Sequence, residues 1–223
     1  MARPAVERDF PPRLKDGYRA FHFGTLRRER ERYERLAIVG QRPEIMVIAC
    51  CDSRAAPETV FDAAPGEIFV VRNVANIVPP YVSDGGVHGT SAALEFAVQA
   101  LKVRHIVVMG HGRCGGIQAF REQADGIAGE PLSPGDFIGG WISLLKPAAA
   151  DIRCEDASDV GKRQRALEEA GIRNSIANLA SFPCVKILLN RQQIALHGAW
   201  FDISAGQLWL LDQASGNFIA AQI

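Results

Sequence analysis

Two short segments of the chain end in side chains that can bind a soft metal ion. The first, IMVIACCDSR at residues 45–54, contains Cys50, and the second, IVVMGHGRCGG at residues 106–116, contains His111 and Cys114. Thiolate and imidazole groups suit zinc, and two cysteines with one histidine leave one position of a tetrahedral ion open. We therefore expect the two segments to share one metal site.

The apolar residues before these ligands explain how the two segments can meet. Residues 45–49 and 106–109 are continuously apolar, which is typical of strands buried on both faces of a parallel sheet. A helical pattern lies between them and indicates a right-handed crossover between parallel strands. Open α/β sheets bind their ligands at the carboxyl ends of the strands, where both segments lie.

The whole pattern predicts one α/β core at residues 42–223, preceded by an N-terminal helical arm at residues 1–41. The core should have a mainly parallel central β-sheet flanked by helices, with a C-terminal strand pair joined by a hairpin turn. Predicted strands cover residues 45–49, 68–71, 106–109, 194–203 and 208–212, and predicted helices cover residues 58–62, 90–101, 117–123, 138–145 and 161–181. Residues 184–189 fit either a helix or a strand.

The hydrophobic pattern also predicts which side chains of this core are buried. The strand at residues 68–71 should be buried, because it is continuously apolar. The broad buried face of the helix at residues 90–101 should contain Ala93, Phe96, Ala97, Ala100 and Leu101. The helix at residues 161–181 should turn its charged residues, Glu168 among them, toward solvent. Cys51 should be a buried packing thiol, because neighbouring strand residues point in opposite directions.

Charge and cysteine content narrow the possible classes of protein. The 223 residues contain 25 Lys and Arg and 25 Asp and Glu, so no net charge favours nucleic acid or an anionic membrane as a partner. The apolar runs are too short to cross a membrane, and the first residues lack the apolar core of a signal peptide, so we expect a cytoplasmic protein. Five cysteines without an export signal argue against disulfides. Among them, Cys154 and Cys184 match no ligand pattern.

The motifs C-x-D-S-R, beginning at Cys50, and H-x-x-C-G-G, beginning at His111, closely resemble those of the β-class carbonic anhydrases. The resemblance extends through GEIFVVRNVANIVPPY and LHGAWFDI and is weakest at residues 123–159. It implies one Zn²⁺ per subunit, held by Cys50, His111 and Cys114, and reversible hydration of carbon dioxide to bicarbonate by zinc-bound hydroxide. It also implies homodimers or tetramers.

The resemblance assigns roles to residues around the metal. Asp52 should accept a hydrogen bond from the hydroxide, and Arg54 should pair with Asp52, keeping it ionised and away from the metal. Cys50, Asp52 and Arg54 alternate along the chain, which places them on one side of an extended segment. The implied substrate-binding residues are Gln41, donated across a dimer interface, Phe69, Val74, Phe96, where plant-type relatives usually have tyrosine, and Gly115, through its backbone N–H.

A second feature of the family concerns regulation. Some bacterial members carry a regulatory bicarbonate site built from a tryptophan, an arginine and a tyrosine. In this chain Arg72 matches the arginine, whereas Val47 and Phe201 occupy the other two positions. We therefore predict the plant-type, non-allosteric subtype, in which the metal keeps its open position.

Two other functions are compatible with the sequence. Carbonyl sulfide and carbon disulfide hydrolases of the same fold share these ligands and differ at the mouth of the pocket. A zinc or thiol sensor that uses Cys50 and Cys51 belongs to another class, and a closed structural site would need a fourth protein ligand. Such a module would have no use for Asp52 and Arg54, whose presence favours catalysis.

Overall fold

The computed structural model describes residues 10–127, 129–150, 152 and 159–222. The chain divides into two compact units between Gln41 and Arg42. Cys154, for which the sequence indicates no role, lies outside the described residues. In the part of the chain that the structure describes, no helix combines the length and apolar character needed to cross a membrane.

The first unit consists of helices whose apolar side chains are largely exposed. Helix α1 spans Pro12–Ala20, a π-helical turn spans Phe21–Thr25, helix α2 spans Leu26–Arg28 and helix α3 spans Arg30–Val39. Phe21 packs edge to face against Tyr33, with 5.7 Å between the ring centroids. Tyr18, Phe23 and Ile38 are exposed, and these four segments contain no buried residue. The sequence is compatible with a solvated surface helix or with an arm laid across a second subunit, and both stay predictions.

The second unit is built on one six-stranded sheet. Its strands are β1 (Ile45–Cys50), β2 (Ile68–Asn73), β3 (His105–His111), β4 (Ala195–Asp202), β5 (Gln207–Leu211) and β6 (Phe218–Ala220). Their order is β2-β1-β3-β4-β5-β6, in which the first four strands are parallel and the last two pair antiparallel. The predicted α/β class, with a mainly parallel sheet and a C-terminal strand pair, is confirmed.

The position of each strand in the sheet explains how deeply it is buried. Strand β1 lies between β2 and β3, and residues 46–50 are all buried. The prediction that residues 68–71 form a buried strand is wrong, because β2 has a neighbour on one side only and every residue in it is half-buried. Strand β6 was not predicted, since three residues are too few to show a period.

Helices cover the sheet and carry the connections between the parallel strands. They are α4 (Pro57–Val60), α5 (Gly89–Glu95), α6 (Gly115–Ala124), α7 (Phe137–Ile142), α8 (Lys146–Ala150), α9 (Val160–Ser181) and α10 (Pro183–Asn190). Asp159 caps the N-terminus of α9, because its carboxylate accepts the backbone N–H groups of Gly161 and Lys162. Helix α9 packs on β3 and β4. The ambiguous residues 184–189 belong to α10, which has Pro183 in its first turn.

The predicted buried face of the helix at residues 90–101 is partly wrong. Leu94, Ala97 and Val98 are buried, whereas Ala100 is exposed and Phe96 is 51% exposed. The observed stripe has the same helical period as the predicted one but begins one residue later. Because apolar residues fill both stripes, the sequence does not say which one meets the sheet. The segment Phe96–Leu101 is also π-helical, which rotates its side chains relative to α5.

We expect substitution of Gly198 to destabilise the core. A Cβ atom at Gly198 in β4 would lie 2.9 Å from Cβ of Leu211 and 3.0 Å from Cγ2 of Ile172. Gly198→Ala should therefore lower the free energy of unfolding by about 1–3 kcal/mol, measured by urea denaturation. Gly140→Ala is the matched control, because a Cβ in α7 would meet no atom within 4 Å. Equal stabilities of the two variants would contradict this account of the packing.

Candidate metal centre

The ends of β1 and β3 bring the first two predicted ligands together. The strands are adjacent, parallel and in register, so Cys50 and His111 lie at the same edge of the sheet. The chain then turns, with Arg113 in a left-handed conformation at φ 56°. This turn places Cys114 at the N-terminal end of α6, close to the other two residues.

The three ligand atoms are close enough to hold one ion. The ligand atoms of Cys50, His111 and Cys114 all lie within 4.8 Å of one another, and the three residues are buried. The two sulfurs are 3.9 Å apart. Two zinc–thiolate bonds of about 2.3 Å at a tetrahedral angle would separate the sulfurs by about 3.8 Å. The spacing of the sulfurs therefore fits zinc.

His111 directs one ring nitrogen toward the same point. Its Nδ1 lies 3.0 Å from the carbonyl oxygen of Gly112, an acceptor, so Nδ1 is the protonated donor and Nε2 carries the lone pair. Nε2 is buried and has no hydrogen-bond partner among the residues that the structure describes. A buried polar atom without a partner is costly, and a metal ion bound here would remove that cost.

The two sulfurs lie within hydrogen-bonding distance of each other. Hydrogen bonding with Cys114 lowers the pKa of Cys50 to about 4, and the same hydrogen bond, together with burial, raises the pKa of Cys114. Burial opposes a charged His111, but the carbonyl oxygen of Gly112 and the nearby acidic groups of Cys50 and Asp52 together outweigh burial and raise the pKa of that histidine. A divalent cation that replaced the proton between the two sulfurs would obtain the two thiolates that zinc prefers.

A carboxylate and a guanidinium lie beside the ligands. Arg54 donates from Nε to Oδ1 of Asp52 at 3.0 Å and from Nη2 to Oδ2 at 2.6 Å. This pairing, and a further hydrogen bond from the backbone N–H of Arg54, holds the pKa of Asp52 well below its usual range. Oδ2 of Asp52 lies 3.9 Å from Nε2 of His111. The carboxylate thus faces the ligand cluster while Arg54 engages both of its oxygens.

Comparisons with known proteins agree with this arrangement. Residues 45–208 match a family model described as Carbonic anhydrase, a range that includes all three ligands. Beta carbonic anhydrase 5, chloroplastic, of Arabidopsis thaliana is 37% identical over 190 residues, which are 84% of this chain and 60% of that relative. The chain belongs to the β-carbonic anhydrase family. It spans less than two thirds of the length of that plant relative.

Solved structures of the β-carbonic anhydrase family share the fold over nearly the whole chain. The β-carbonic anhydrase CcaA has a TM-score of 0.84 and 27% identity, with 95% of this chain and 92% of that chain covered. A tetrameric β-carbonic anhydrase of the filamentous ascomycete Sordaria macrospora has a TM-score of 0.74 and 29% identity, with 89% and 94% covered. The likeness extends beyond the region that the family model matches.

Glu168 contacts this β-carbonic anhydrase centre, although the sequence pattern placed it on the solvent side of α9. It is 3% exposed and accepts hydrogen bonds from the backbone N–H of Cys114 at 2.9 Å and from Nε1 of Trp200 at 3.0 Å. Gln164 donates to it at 2.9 Å. Burial raises the pKa of Glu168, and these three donors oppose that rise. The signal that could have found it is its position four residues before the buried Ile172, on the inward stripe.

Arg72 also has a role that its sequence match did not indicate. It donates from Nε to the carbonyl oxygen of Cys50 at 2.8 Å and from Nη2 to that of Asp52 at 2.7 Å. The guanidinium of this β2 residue therefore braces the segment that carries a ligand and the carboxylate. Val47 is buried and Phe201 is half-buried, on the sheet face opposite to Cys50.

The predicted substrate-binding residues lie in different places. Val74 and Gly115 adjoin the ligand cluster: Val74 follows β2, and a Cβ on the residue after Gly115 would come within 2.7 Å of Cγ1 of Val74. Phe69 and Phe96 pair with each other, with 6.0 Å between ring centroids. Phe69 lies four residues before the strand partner of Cys50, about 13 Å along an extended strand. Gln41 belongs to the first unit. These substrate roles stay predictions.

Of the two cysteines outside the cluster that the structure describes, Cys51 departs from its prediction. Cys51 is exposed, and the prediction of a buried packing thiol is wrong. Strand β1 ends at Cys50, so the alternation that would bury the next side chain stops there. Cys184 is half-buried in α10, outside the ligand cluster.

We expect neutralisation of Glu168 to weaken the centre. In Glu168→Gln one side of the amide would present an NH₂ group to an N–H donor, which leaves buried donors facing each other. The free energy of unfolding should fall by about 1–3 kcal/mol, measured by urea denaturation, and zinc affinity by about 10-fold or more, measured by chelator competition. Glu122→Gln, at a half-exposed position of α6, is the control. An unchanged zinc affinity in Glu168→Gln would contradict the assignment.

Proposed function

We propose that the chain catalyses the reversible hydration of carbon dioxide to bicarbonate and a proton, with one zinc ion bound by Cys50, His111 and Cys114. One observation carries the proposal: three buried ligand atoms converge on a point that a carboxylate faces but does not occupy, because Arg54 engages both carboxylate oxygens. Three protein ligands with an open position are typical of catalytic zinc, and membership of the family supports the same activity.

The groups of the chain have separable tasks in this reaction. Bound zinc would supply a Lewis acid that makes water nucleophilic at neutral pH, less strongly with two thiolates than with neutral ligands alone. Asp52 accepts a hydrogen bond from the attacking oxygen and so aims its lone pair at the carbon atom of carbon dioxide. Arg54 keeps Asp52 ionised and away from the metal position. Arg72 holds the backbone on which Asp52 is carried.

The substrate and assembly belong to the same proposal. Carbon dioxide is small and apolar whereas bicarbonate needs hydrogen-bond donors, so the pocket should combine Val74 with donors such as the N–H of Gly115. Gln41 would be donated to the pocket across a subunit interface, and Phe69 and Phe96 would add to its apolar wall. The tetrameric relative from Sordaria macrospora supports an oligomer, and we propose a homodimer or a tetramer.

We also propose the non-allosteric subtype. The pairing of Asp52 with Arg54 corresponds to an open metal position. Arg72 is committed to the carbonyl oxygens of Cys50 and Asp52, and neither Val47 nor Phe201 offers a polar side chain for a second bicarbonate. Regulation by bicarbonate at that place would require donors that these two residues lack.

Loss of one ligand tests the proposed activity. Wild-type protein should bind one zinc ion per chain and hydrate carbon dioxide, whereas Cys50→Ser should lose most of both, because a serine hydroxyl is a poor zinc ligand. The matched control is Cys51→Ser, which changes the exposed neighbouring cysteine and should leave both properties unchanged. Hydrolysis of carbonyl sulfide is measured in parallel, because it tests the alternative hydrolase function. Wild-type protein that holds zinc but hydrates no carbon dioxide would overturn the proposal.

The pH dependence of the rate provides a second test. The pKa of Asp52 lies well below its usual range, so its carboxylate is ionised throughout neutral and alkaline pH and cannot limit the rate there. The proton that must be lost is that of the attacking water, which two thiolate ligands leave relatively weakly acidic. Carbon dioxide hydration, followed by stopped flow between roughly pH 6 and 9, should therefore rise with pH. A flat profile would contradict this mechanism.

A further inference from the structure

Trp200 supports the turn that carries two of the ligands in two ways. This β4 residue is 4% exposed. The six-membered ring of its indole lies so close to Gly112 that a Cβ there would come within 3.1 Å of Cζ2. Its Nε1 donates to Oε2 of Glu168 at 3.0 Å. One side chain therefore supports the turn by direct packing and also through a buried carboxylate.

Each of these contacts leads to one zinc ligand. The carbonyl oxygen of Gly112 accepts the hydrogen bond from Nδ1 of His111, so the position of Gly112 sets the orientation of the imidazole. Oε1 of Glu168 accepts the backbone N–H of Cys114, so the position of Glu168 sets that of the second cysteine. Trp200 thus fixes the relative positions of His111 and Cys114 without touching the ligand atoms.

The indole of Trp200 is itself held in place by a cation–π stack. The guanidinium carbon of Arg165 lies 4.4 Å from the ring centroid of Trp200 and 4.3 Å from that of Trp209, so the guanidinium is stacked against both indoles. Nε of Arg165 donates to Glu169 at 2.8 Å, which restricts the guanidinium further. Such stacks contribute most where they are shielded from water.

We propose that Trp200 is a positioning residue of the metal centre, which sets zinc affinity by holding the turn between His111 and Cys114 through Gly112 and Glu168. The inference rests on the proposed zinc site. Phenylalanine would keep most of the apolar area but lose the N–H, which leaves Oε2 of Glu168 without its indole donor in a buried place. Outer contacts of this kind typically change metal affinity by about 10–100-fold.

The two tryptophans of the stack provide a matched pair of variants. Nε1 of Trp209 is buried and has no hydrogen-bond partner in the part of the chain that the structure describes. Trp200→Phe and Trp209→Phe therefore make the same change of side chain on the same guanidinium, but only the first removes a hydrogen bond to Glu168. We expect zinc affinity, measured by competition with a chromophoric chelator, to fall about 10-fold or more in Trp200→Phe and less than about 2-fold in Trp209→Phe.

Thermal unfolding of the zinc-free variants separates positioning from a general loss of stability. A fall in zinc affinity in Trp200→Phe protein that is folded at the assay temperature supports the inference. Equal zinc affinities of the two variants, or a loss of stability with unchanged zinc affinity, would overturn it. If Trp200→Phe does not fold, Arg165→Lys replaces it: because the planar stack is lost, zinc affinity should fall measurably but by less than about 10-fold relative to wild type, and an unchanged affinity would refute the inference.

Measuring zinc affinity distinguishes a failure of this inference from a failure of the proposed function. If wild-type protein binds no zinc, the proposed function fails and so does the premise of the inference. If wild-type protein binds zinc tightly and Trp200→Phe binds it as tightly, the inference alone fails. If zinc affinity falls in Trp200→Phe while wild-type protein hydrates no carbon dioxide, the inference stands and the proposed reaction fails.

Discussion

The parallel pairing of β1 with β3 is the constraint on which the metal centre depends. Its register places Cys50 and His111 at one edge of the sheet, and a slip of one residue would turn every side chain of a strand to the opposite face. Both strands lie in the middle of the sheet and are packed on both faces, so such a slip would disrupt that packing and move Cys50 relative to His111. The hydrophobic core therefore sets the geometry of the ligands.

Charge around the site is arranged so that a cation completes it. The carboxylate of Asp52 and the low-pKa sulfur of Cys50 favour negative charge within a small volume, whereas the nearby arginines are committed to other partners. Arg54 engages the carboxylate of Asp52, and Arg72 engages backbone carbonyl oxygens. Neither guanidinium is directed at the ligand atoms. A divalent ion at the centre of the cluster would neutralise the negative charge that these two arginines leave uncompensated.

The sequence was sufficient for the parts of the molecule that strong local patterns specify. Continuous apolar runs end at Cys50 and close to His111, and that alone predicted the two central strands and the edge at which ligands meet. Membership of the family then made the expected activity specific. Periodicity does not show which of two equivalent apolar stripes of a helix faces the core, and Phe96 was therefore predicted to be buried although it is exposed. Periodicity also does not show which charged residue of a helix is buried, and Glu168 was missed for that reason. Both depend on contacts between elements that are distant in the chain.

The centre also differs from a structural zinc site in how its ligands are held. The backbone at Cys50 is braced by Arg72, the imidazole of His111 by Gly112, and Cys114 by Glu168. Each restraint is made by the protein itself, and the core beneath them is extensive, so we expect the chain to fold without the metal, unlike a zinc finger. The free energy of metal coordination would then contribute to affinity for the ion and would not be used to fold the chain. The proposed reaction would need this property, because the metal would have to stay bound while substrate and product exchange beside it.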